Sequence, residues 1–276
     1  MAAAVRKDRL KEINDELRLQ SENPSSPWLP LESNPELFTE FAHSIGVPQE
    51  WSWCDVLGFD ESLLDMLPKP CAAVILLFPC TENMYEARAR EEEIARTQGR
   101  ADMPNAFFLK QHAEFGNACG TIASVHALSN SRWAFKDASN RSAHSSNGGN
   151  PNTSLVAALD SFCEAQCSAS ADERGRALLM ANNLKHASDG AALAATAQTT
   201  CPDRDGPDLD HHFTAFVYFE GRLLELDGTK FGPVDHGPCD ESGVLEAASA
   251  AIRKCFMSLE PGSIEFSLLA LCRHEQ

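Results

Sequence analysis

The sequence is organised around the stretch Phe115-Gly116-Asn117-Ala118-Cys119-Gly120-Thr121-Ile122-Ala123. Glycine and asparagine interrupt regular structure before Cys119, and small or apolar residues follow it as far as Leu128, which predicts a buried helix beginning at the cysteine. The peptide dipoles at a helix N-terminus favour thiolate over thiol, and the thiolate is the nucleophilic form. Cys119 is therefore a candidate for covalent catalysis, with simple packing in the core as the alternative.

Composition and charge narrow the classes of partner. The chain has 276 residues, of which 43% are apolar, enough for one large domain or two small ones. Its net charge of −17 disfavours nucleic acid and membranes as partners and suits a basic protein or peptide tail, although acidity also serves solubility alone. The sequence contains no apolar signal segment and no run long enough to span a bilayer. We therefore expect the protein in the cytoplasm, with the nucleus as a second location.

The ten cysteines are scattered along the chain rather than grouped as metal ligands. None forms a CxxC pair, and Cys163 and Cys167, four residues apart, are expected to pack on one helical face. Several lie in apolar runs, as Cys71 does, which indicates reduced thiols in a reducing compartment. The sequence therefore predicts neither a metal nor a cofactor.

The chain divides into an N-terminal extension and one folded domain. Residues 1–27 combine a charged helical pattern with a Pro- and Ser-rich linker, and they are predicted to be an appendage. A solvated helix is the simplest interpretation of the pattern, and a helix that docks a partner is the alternative. Residues 28–276 are predicted to form the functional domain.

Apolar patterning predicts a mixed helix and strand architecture. The run 71–78 is almost entirely apolar, as in a central strand buried on both faces. Asn34 and Pro35 have the cap and first-turn preferences of a helix that Gly46 ends, and residues 84–97 predict a charged surface helix. The other predicted elements are helices at 61–66, 154–162, 171–184 and 245–257 and strands at 51–57 and 264–271.

Two long segments poor in large apolar residues are predicted to be loops. Residues 131–152 are rich in Ser, Asn and Gly, and residues 189–210 in Ala, Thr, Pro and Asp. Long loops inside a compact domain are usually functional or disordered.

A predicted hairpin carries two further candidate residues. Residues 212–219 predict a strand, 220–221 a tight turn and 222–227 the returning strand. His212 then begins the first strand and Asp227 ends the second, which places the two side by side.

Together with Cys119, these residues match the needs of thiol catalysis. A cysteine nucleophile requires a base, and the base requires a group that orients it. The order Cys119, His212, Asp227 is that of the papain-like proteases. The alternatives are a hydrogen-bonded core histidine and an aspartate that serves only a turn.

Three segments resemble the signatures of the ubiquitin carboxyl-terminal hydrolases: Gly116–Ile122, His212-Phe213 and Glu225–Gly228. The resemblance is to the short, single-domain members of the family, and it runs from about Trp28 to the C-terminus. Further similarities lie at 28–35, 68–70, 76–79 and 231–236.

The resemblance implies an α/β (α+β) papain-like cysteine protease. Its central, mostly antiparallel sheet would lie between helices, with a knotted backbone and an active-site crossover loop before His212. The implied enzyme is a monomeric deubiquitinating thiol hydrolase that releases small adducts or short peptides from the C-terminal glycine of ubiquitin. Cys119 would attack the carbonyl, His212 would act as base and then acid, and Asp227 would orient His212.

The resemblance also implies where the ubiquitin tail binds. Two segments correspond to family contacts, and the arginines of the ubiquitin tail suit an acidic enzyme. The implied contact residues are Pro30, Leu31, Glu32, Ser33, Asn34, Pro35, Ala194, Ala195, Thr196, Ala197, Gln198, Thr199, Thr200, Cys201 and Pro202.

One segment departs from the family pattern. Gln111 follows a lysine, as the oxyanion-stabilising glutamine of the family does, but residues 112–115 make the gap to Cys119 two residues longer. We expect the additional residues to bulge outward so that the Gln111 amide can reach the oxyanion. The rival interpretations are that the Cys119 backbone N–H carries more of this role or that His112 substitutes.

Two alternatives to a ubiquitin hydrolase stay open from the sequence. The modifier could be NEDD8, since the family includes members active on both. The altered segment between Gln111 and Gly116 could also leave a ubiquitin-binding protein with weak catalysis.

Overall fold

A six-stranded antiparallel sheet forms the centre of the protein, with the strand order β1-β6-β2-β3-β4-β5. The computed structural model describes residues 27–97, 106–135, 158–202 and 209–274. The strands are β1 (Trp51–Asp55), β2 (Cys71–Pro79), β3 (His211–Phe219), β4 (Arg222–Leu226), β5 (Val234–Pro238) and β6 (Ser267–Arg273).

Strand β2 lies between β6 and β3 and is buried on both faces, as its apolar run predicts. Successive side chains of a strand point to opposite faces, so one run supplies two cores. Ala73 and Ile75 belong to the first core, whereas Val74 and Leu76 belong to the second.

Helices cover both faces of the sheet. Helix α4 packs on β3 and β2 within the first core, and α8 packs on β2 within the second. Helices buried among apolar neighbours on both sides of a sheet give the three-layer α/β architecture. The helices are α1 (Pro35–Ser44), α2 (Glu61–Leu64), α3 (Glu82–Thr97), α4 (Cys119–Asn130), α5 (Ala158–Ala165), α6 (Ala171–Leu179), α7 (Asn182–Ala192) and α8 (Val244–Cys255), of which α3 ends and α5 begins at the limit of the described residues.

The predicted ends of α1 are confirmed. The Asn34 side chain accepts a hydrogen bond from the Glu36 N–H at 2.9 Å, and Pro35 is the first helical residue. Gly46 follows the helix with a φ of 107°, a conformation that glycine adopts without strain.

Helix α7 was not predicted, and its first residues were assigned to one long helix over 171–184. The structure ends α6 at Leu179 and extends α7 to Ala192, so the predicted loop 189–210 begins four residues too early. Two polar residues of α7 are buried and hydrogen-bonded: Ser188 to Thr121 at 2.6 Å and Asp189, the first residue of the predicted loop, to the Leu29 N–H at 3.0 Å.

Two further differences lie at the edges of the fold. Strand β5 was not predicted because its Gly237 and Pro238 are typical of a loop, and as an edge strand it buries Val234 alone. Helix α5 ends at Ala165, so Cys167 is exposed beyond the helix and does not share a helical face with Cys163.

Several predictions lie wholly or partly outside the described residues. They concern the extension before residue 27, most of the loop 131–152 and the part of the crossover loop at 203–208. The knotted path depends on such segments and stays a prediction. Among the helices described, none combines the length and the apolar character that crossing a bilayer requires.

Candidate active site

Cys119 is the first residue of α4, as predicted. The chain turns into the helix at Gly116, which has a φ of 62°, and the helix is buried along nearly its whole length. The first turn lies so close to β3 that a Cβ on Gly120 would be 3.2 Å from the Phe213 ring. This packing fixes Cys119, whose residue exposure is 9%, at the mouth of a cleft.

His212 lies near the start of β3 and connects the thiol with the carboxylate. Its Nε2 is 2.9 Å from Asp227 Oδ1, and the Cys119 thiol is near enough to contribute to the electrostatics of the imidazole. Burial alone would lower the pKa of His212, but the Asp227 carboxylate raises it to about 10. The structure thus favours a positively charged imidazolium near Cys119 at neutral pH.

Asp227 follows β4 and is fully buried as a side chain. Its Oδ1 also accepts hydrogen bonds from the Thr229 N–H at 2.9 Å and hydroxyl at 2.7 Å, and its Oδ2 accepts one from Arg88. Burial would raise the pKa of Asp227, but the charges of His212 and Arg88 hold it well below 3.8. The aspartate is therefore ionised and oriented from both of its oxygens.

A buried ion-pair network lies next to these three residues and reaches Asp227 through Arg88. Arg88 of α3 bridges Asp227 and Glu225, and Glu225 also pairs with Lys230 at 3.2 Å and His236 at 2.9 Å. The sequence predicted α3 only as a charged surface helix. One signal was available: Arg88 lies one turn after the buried Met84, on the inward stripe of the helix.

Glu91, Glu225 and His236 are the described residues that could together offer ligands to a metal ion. Lys230 lies among them and contacts both glutamates, so a cation already neutralises the cluster. The geometry supports an internal salt bridge rather than a metal centre.

Gln111 lies next to the turn that precedes Cys119. Its backbone N–H donates to the Gly228 carbonyl at 2.9 Å, and its side-chain Nε2 is 3.5 Å from the Gly116 carbonyl. Its Oε1 is buried without a hydrogen-bond partner in the described structure. The amide is thus close to the reacting end of α4 and is not committed to a strong interaction.

The longer gap before Cys119 forms a short 3₁₀ turn at Ala113–Phe115. Phe115 is buried and meets the Trp28 ring edge-on at 5.5 Å, which anchors the turn in the first core. His112 faces away toward α6, with its Nε2 3.1 Å from the Asp172 carbonyl. This position favours Gln111 over His112 as the side chain near the turn that precedes Cys119.

The two segments implied to bind the ubiquitin tail lie side by side. Glu32 Oε2 accepts hydrogen bonds from the Gln198 N–H at 3.1 Å and from the Thr199 N–H at 3.0 Å, and Asn34 Nδ2 donates to the Thr196 carbonyl at 3.2 Å. Between the segments and the thiol is a cleft of about 430 Å³. Its walls come from 30–33, 199–202 and 209–211 together with Leu77, Asn117, Cys119, Ala192 and Phe213.

A thiol at a helix start, an imidazole and an oriented carboxylate, held between helices and an antiparallel sheet, define a papain-like cysteine hydrolase. The sequence model for family 1 of the ubiquitin carboxyl-terminal hydrolases matches residues 28–257. A ubiquitin carboxyl-terminal hydrolase of Drosophila melanogaster is 36% identical over 249 residues, covering 90% of this chain and 99% of the relative. The rat isozyme L1 is 30% identical, covering 88% and 97%.

A solved structure with the same fold is the UCH37 catalytic domain of Trichinella spiralis bound to ubiquitin vinyl methyl ester. The TM-score is 0.62 at 21% identity, covering 94% of this chain and all of the other. The chain belongs to family 1 of the ubiquitin carboxyl-terminal hydrolases. The predictions of the family, of the papain-like α/β fold and of a cysteine-type ubiquitinyl hydrolase are confirmed.

Proposed function

We propose that Cys119, His212 and Asp227 hydrolyse the bond between the C-terminal glycine of ubiquitin and a small adduct or short peptide. The observation that carries this proposal is the grouping of three residues at the mouth of a cleft: the Cys119 thiol, the His212 imidazole and the Asp227 carboxylate that is hydrogen-bonded to it. The rival in which the site binds ubiquitin without turnover is less well supported, because all three groups that the reaction needs are present and Asp227 already holds the base.

In the proposed reaction, the Cys119 thiolate attacks the carbonyl carbon of the terminal glycine. The negative charge on the carbonyl oxygen is stabilised by the Cys119 N–H and by the Gln111 amide, which lies near Gly116. His212 donates its proton to the leaving amine, and a thioester forms. A water molecule then loses a proton to His212, attacks the thioester and releases ubiquitin with a free carboxylate.

The cleft supports a preference for slender substrates. Its two walls are joined to each other through Glu32 and Asn34, and these hydrogen bonds oppose the separation of the walls around a bulky chain. The Glu32 carboxylate already accepts hydrogen bonds from the opposite wall. Other acidic residues would therefore have to pair with the basic side chains of a bound tail. We propose that the C-terminal tail of ubiquitin binds in this cleft. We also propose that the enzyme acts as a monomer in the cytoplasm.

The test is hydrolysis of ubiquitin that carries a fluorogenic amide at its C-terminus. Wild type releases the fluorophore, and Cys119→Ala reduces kcat to the background rate. Cys167→Ser is the matched control, since this exposed thiol lies beyond α5 and outside the site. A lack of release by wild type, or release by Cys119→Ala at an unchanged rate, would disprove the proposal.

NEDD8 is the alternative modifier, and the same assay decides between the two. With the fluorogenic amide of each modifier, the proposal expects a higher kcat/KM for ubiquitin. A higher kcat/KM for NEDD8 would keep the chemistry of Cys119 and replace the substrate.

A further inference from the structure

Arg88 is placed to control the geometry of the triad from outside it. Its guanidinium donates to Asp227 Oδ2 through Nη2 and to Glu225 Oε1 through Nη1, the latter at 3.0 Å. The side chain is 13% exposed, and both carboxylates are fully buried. A rigid guanidinium fork that bridges two carboxylates fixes their relative orientation in a way that a single point charge does not.

The two oxygens of Asp227 therefore have separate partners. Oδ1 faces His212 and Thr229, whereas Oδ2 faces Arg88. A carboxylate held at one oxygen only could rotate about its terminal bond and present either oxygen to the imidazole. The guanidinium removes that freedom, so the imidazole has one fixed acceptor.

Aromatic rings hold Arg88 itself in place. Its guanidinium carbon lies 4.7 Å from the ring centroid of Phe78 and 5.3 Å from that of Phe256. Phe78 also meets the His212 ring edge-on at 5.7 Å. The cation and the imidazole thus share one aromatic wall, which belongs to the second core.

We propose that Arg88 is a positioning residue for the reaction: by binding Oδ2 of Asp227 it keeps Oδ1 directed at His212 and the imidazole directed at Cys119. This proposal rests on the proposed function of the triad.

The network offers a matched control for the loss of a buried cation. Lys230 is 5% exposed and, within the described structure, forms its ion pairs with Glu91 and Glu225. Its removal takes a charge from the same network without taking a partner from Asp227. Other charged or titratable groups around this region are Lys110 and His126 on the Asp227 side and His236 on the Glu225 side.

The test compares Arg88→Met, Arg88→Lys and Lys230→Met in the full-length protein. Steady-state hydrolysis of the fluorogenic ubiquitin amide gives kcat and KM, and thermal unfolding reports stability. We expect Arg88→Met to lower kcat by about 10- to 100-fold with little change in KM, because the reacting groups move and the tail cleft does not. Arg88→Lys restores the charge but not the fork, so its kcat falls between those of Arg88→Met and wild type.

A second measurement reads the site without ubiquitin. The rate of Cys119 alkylation by iodoacetamide at pH 6, followed by mass spectrometry of the Cys119 peptide, reports the thiolate that His212 stabilises. Arg88→Met is expected to slow alkylation by about 10-fold, whereas Lys230→Met reacts at nearly the wild-type rate. Slow alkylation in Arg88→Met supports the positioning role even if no ubiquitin amide is hydrolysed. A wrong substrate assignment can therefore be told apart from a wrong role for Arg88.

Either of two results would overturn the proposal. One is wild-type kcat and alkylation in both Arg88 variants. The other is a loss of kcat and of alkylation rate in Lys230→Met as large as the loss in Arg88→Met. That result would show that the network affects the reaction only by stabilising the fold. If Arg88→Met does not fold, the proposal is tested by comparing Arg88→Lys with Lys230→Met. The measurements are again kcat and the rate of Cys119 alkylation.

Discussion

At the scale of single residues, the Asp227 carboxylate connects the stability of the protein with its chemistry. It is a buried charge whose two oxygens accept from His212, Thr229 and Arg88. A buried anion is tolerated only when it is paired and hydrogen-bonded, so its partners also determine its direction.

Replacing Asp227 by asparagine tests this connection. An amide can present its NH₂ group to His212 and Arg88, both of which are donors, and the imidazole then loses its fixed orientation. We expect kcat for the fluorogenic ubiquitin amide to fall by roughly 10²- to 10⁴-fold. An Asp227→Asn enzyme with wild-type kcat would contradict the orienting role.

The raised pKa of His212 predicts how stability depends on pH. Its folded-state pKa of about 10 lies above the value near 6.5 of an unfolded chain, so the charged imidazole stabilises the native state. That contribution is complete below pH 6.5 and is lost as the pH rises toward 10. Urea unfolding of wild type and His212→Gln at several pH values should show a difference that shrinks over this range. A difference that grows with pH would be inconsistent with the Asp227 pairing.

The positions of Cys119, His212 and Asp227 were predictable because residues close to them in the sequence determine the local structure. A glycine and asparagine break marks the helix start, and a tight turn sets the distance between the two strand ends. Arg88 was not predictable in the same way, because α3 contains several arginines and glutamates in a similar context. Apart from its position one turn after Met84, the packing of α3 against the second core is what separates Arg88 from the others.

At the scale of elements, α6 holds the segment that carries Gln111. The Lys110 N–H donates to the Ala171 carbonyl at 2.9 Å, and Gly175 faces the same segment. A Cβ on Gly175 would collide with the Lys110 carbonyl and lie 2.8 Å from His112 Nε2. The absence of a side chain at this helix position is what allows the close approach.

We expect Gly175→Ala to destabilise the protein by about 1–3 kcal/mol, because α6 or the Gln111 segment must shift. A shift of Gln111 would also lower kcat. Gly190→Ala is the matched control: it lies in α7 with open space around the added Cβ, and it should stabilise by about 0.5–1 kcal/mol. Denaturant unfolding measures both, and equal effects of the two substitutions would refute the close contact.

The central elements followed from their patterns, whereas α7 and β5 did not. Strand β2 is apolar on both faces, and a short continuous apolar run of this kind is typical of a central strand. Helix α7 buries Lys185, Ser188 and Asp189, so its inward face does not look apolar. Tertiary partners make that burial possible, and such partners are invisible to a local pattern.

At the scale of the whole molecule, the net charge of −17 should favour encounter with a basic tail. Salt screens such attraction, so kcat/KM for the ubiquitin amide should fall as ionic strength rises, mainly through a higher KM. Alkylation of Cys119 by uncharged iodoacetamide is the control and should change little. An increase of kcat/KM with salt would argue against an acidic enzyme recognising a basic tail.

The central proposal is that three residues, Cys119, His212 and Asp227, together make a single thiol reactive toward the ubiquitin C-terminus. It is tested most directly by ubiquitin with a C-terminal electrophile, incubated with the protein and followed by mapping of the adduct. We predict one adduct, on Cys119, formed rapidly by wild type, much more slowly by His212→Ala and not at all by Cys119→Ala. An adduct on another cysteine, or an undiminished rate in His212→Ala, would contradict it.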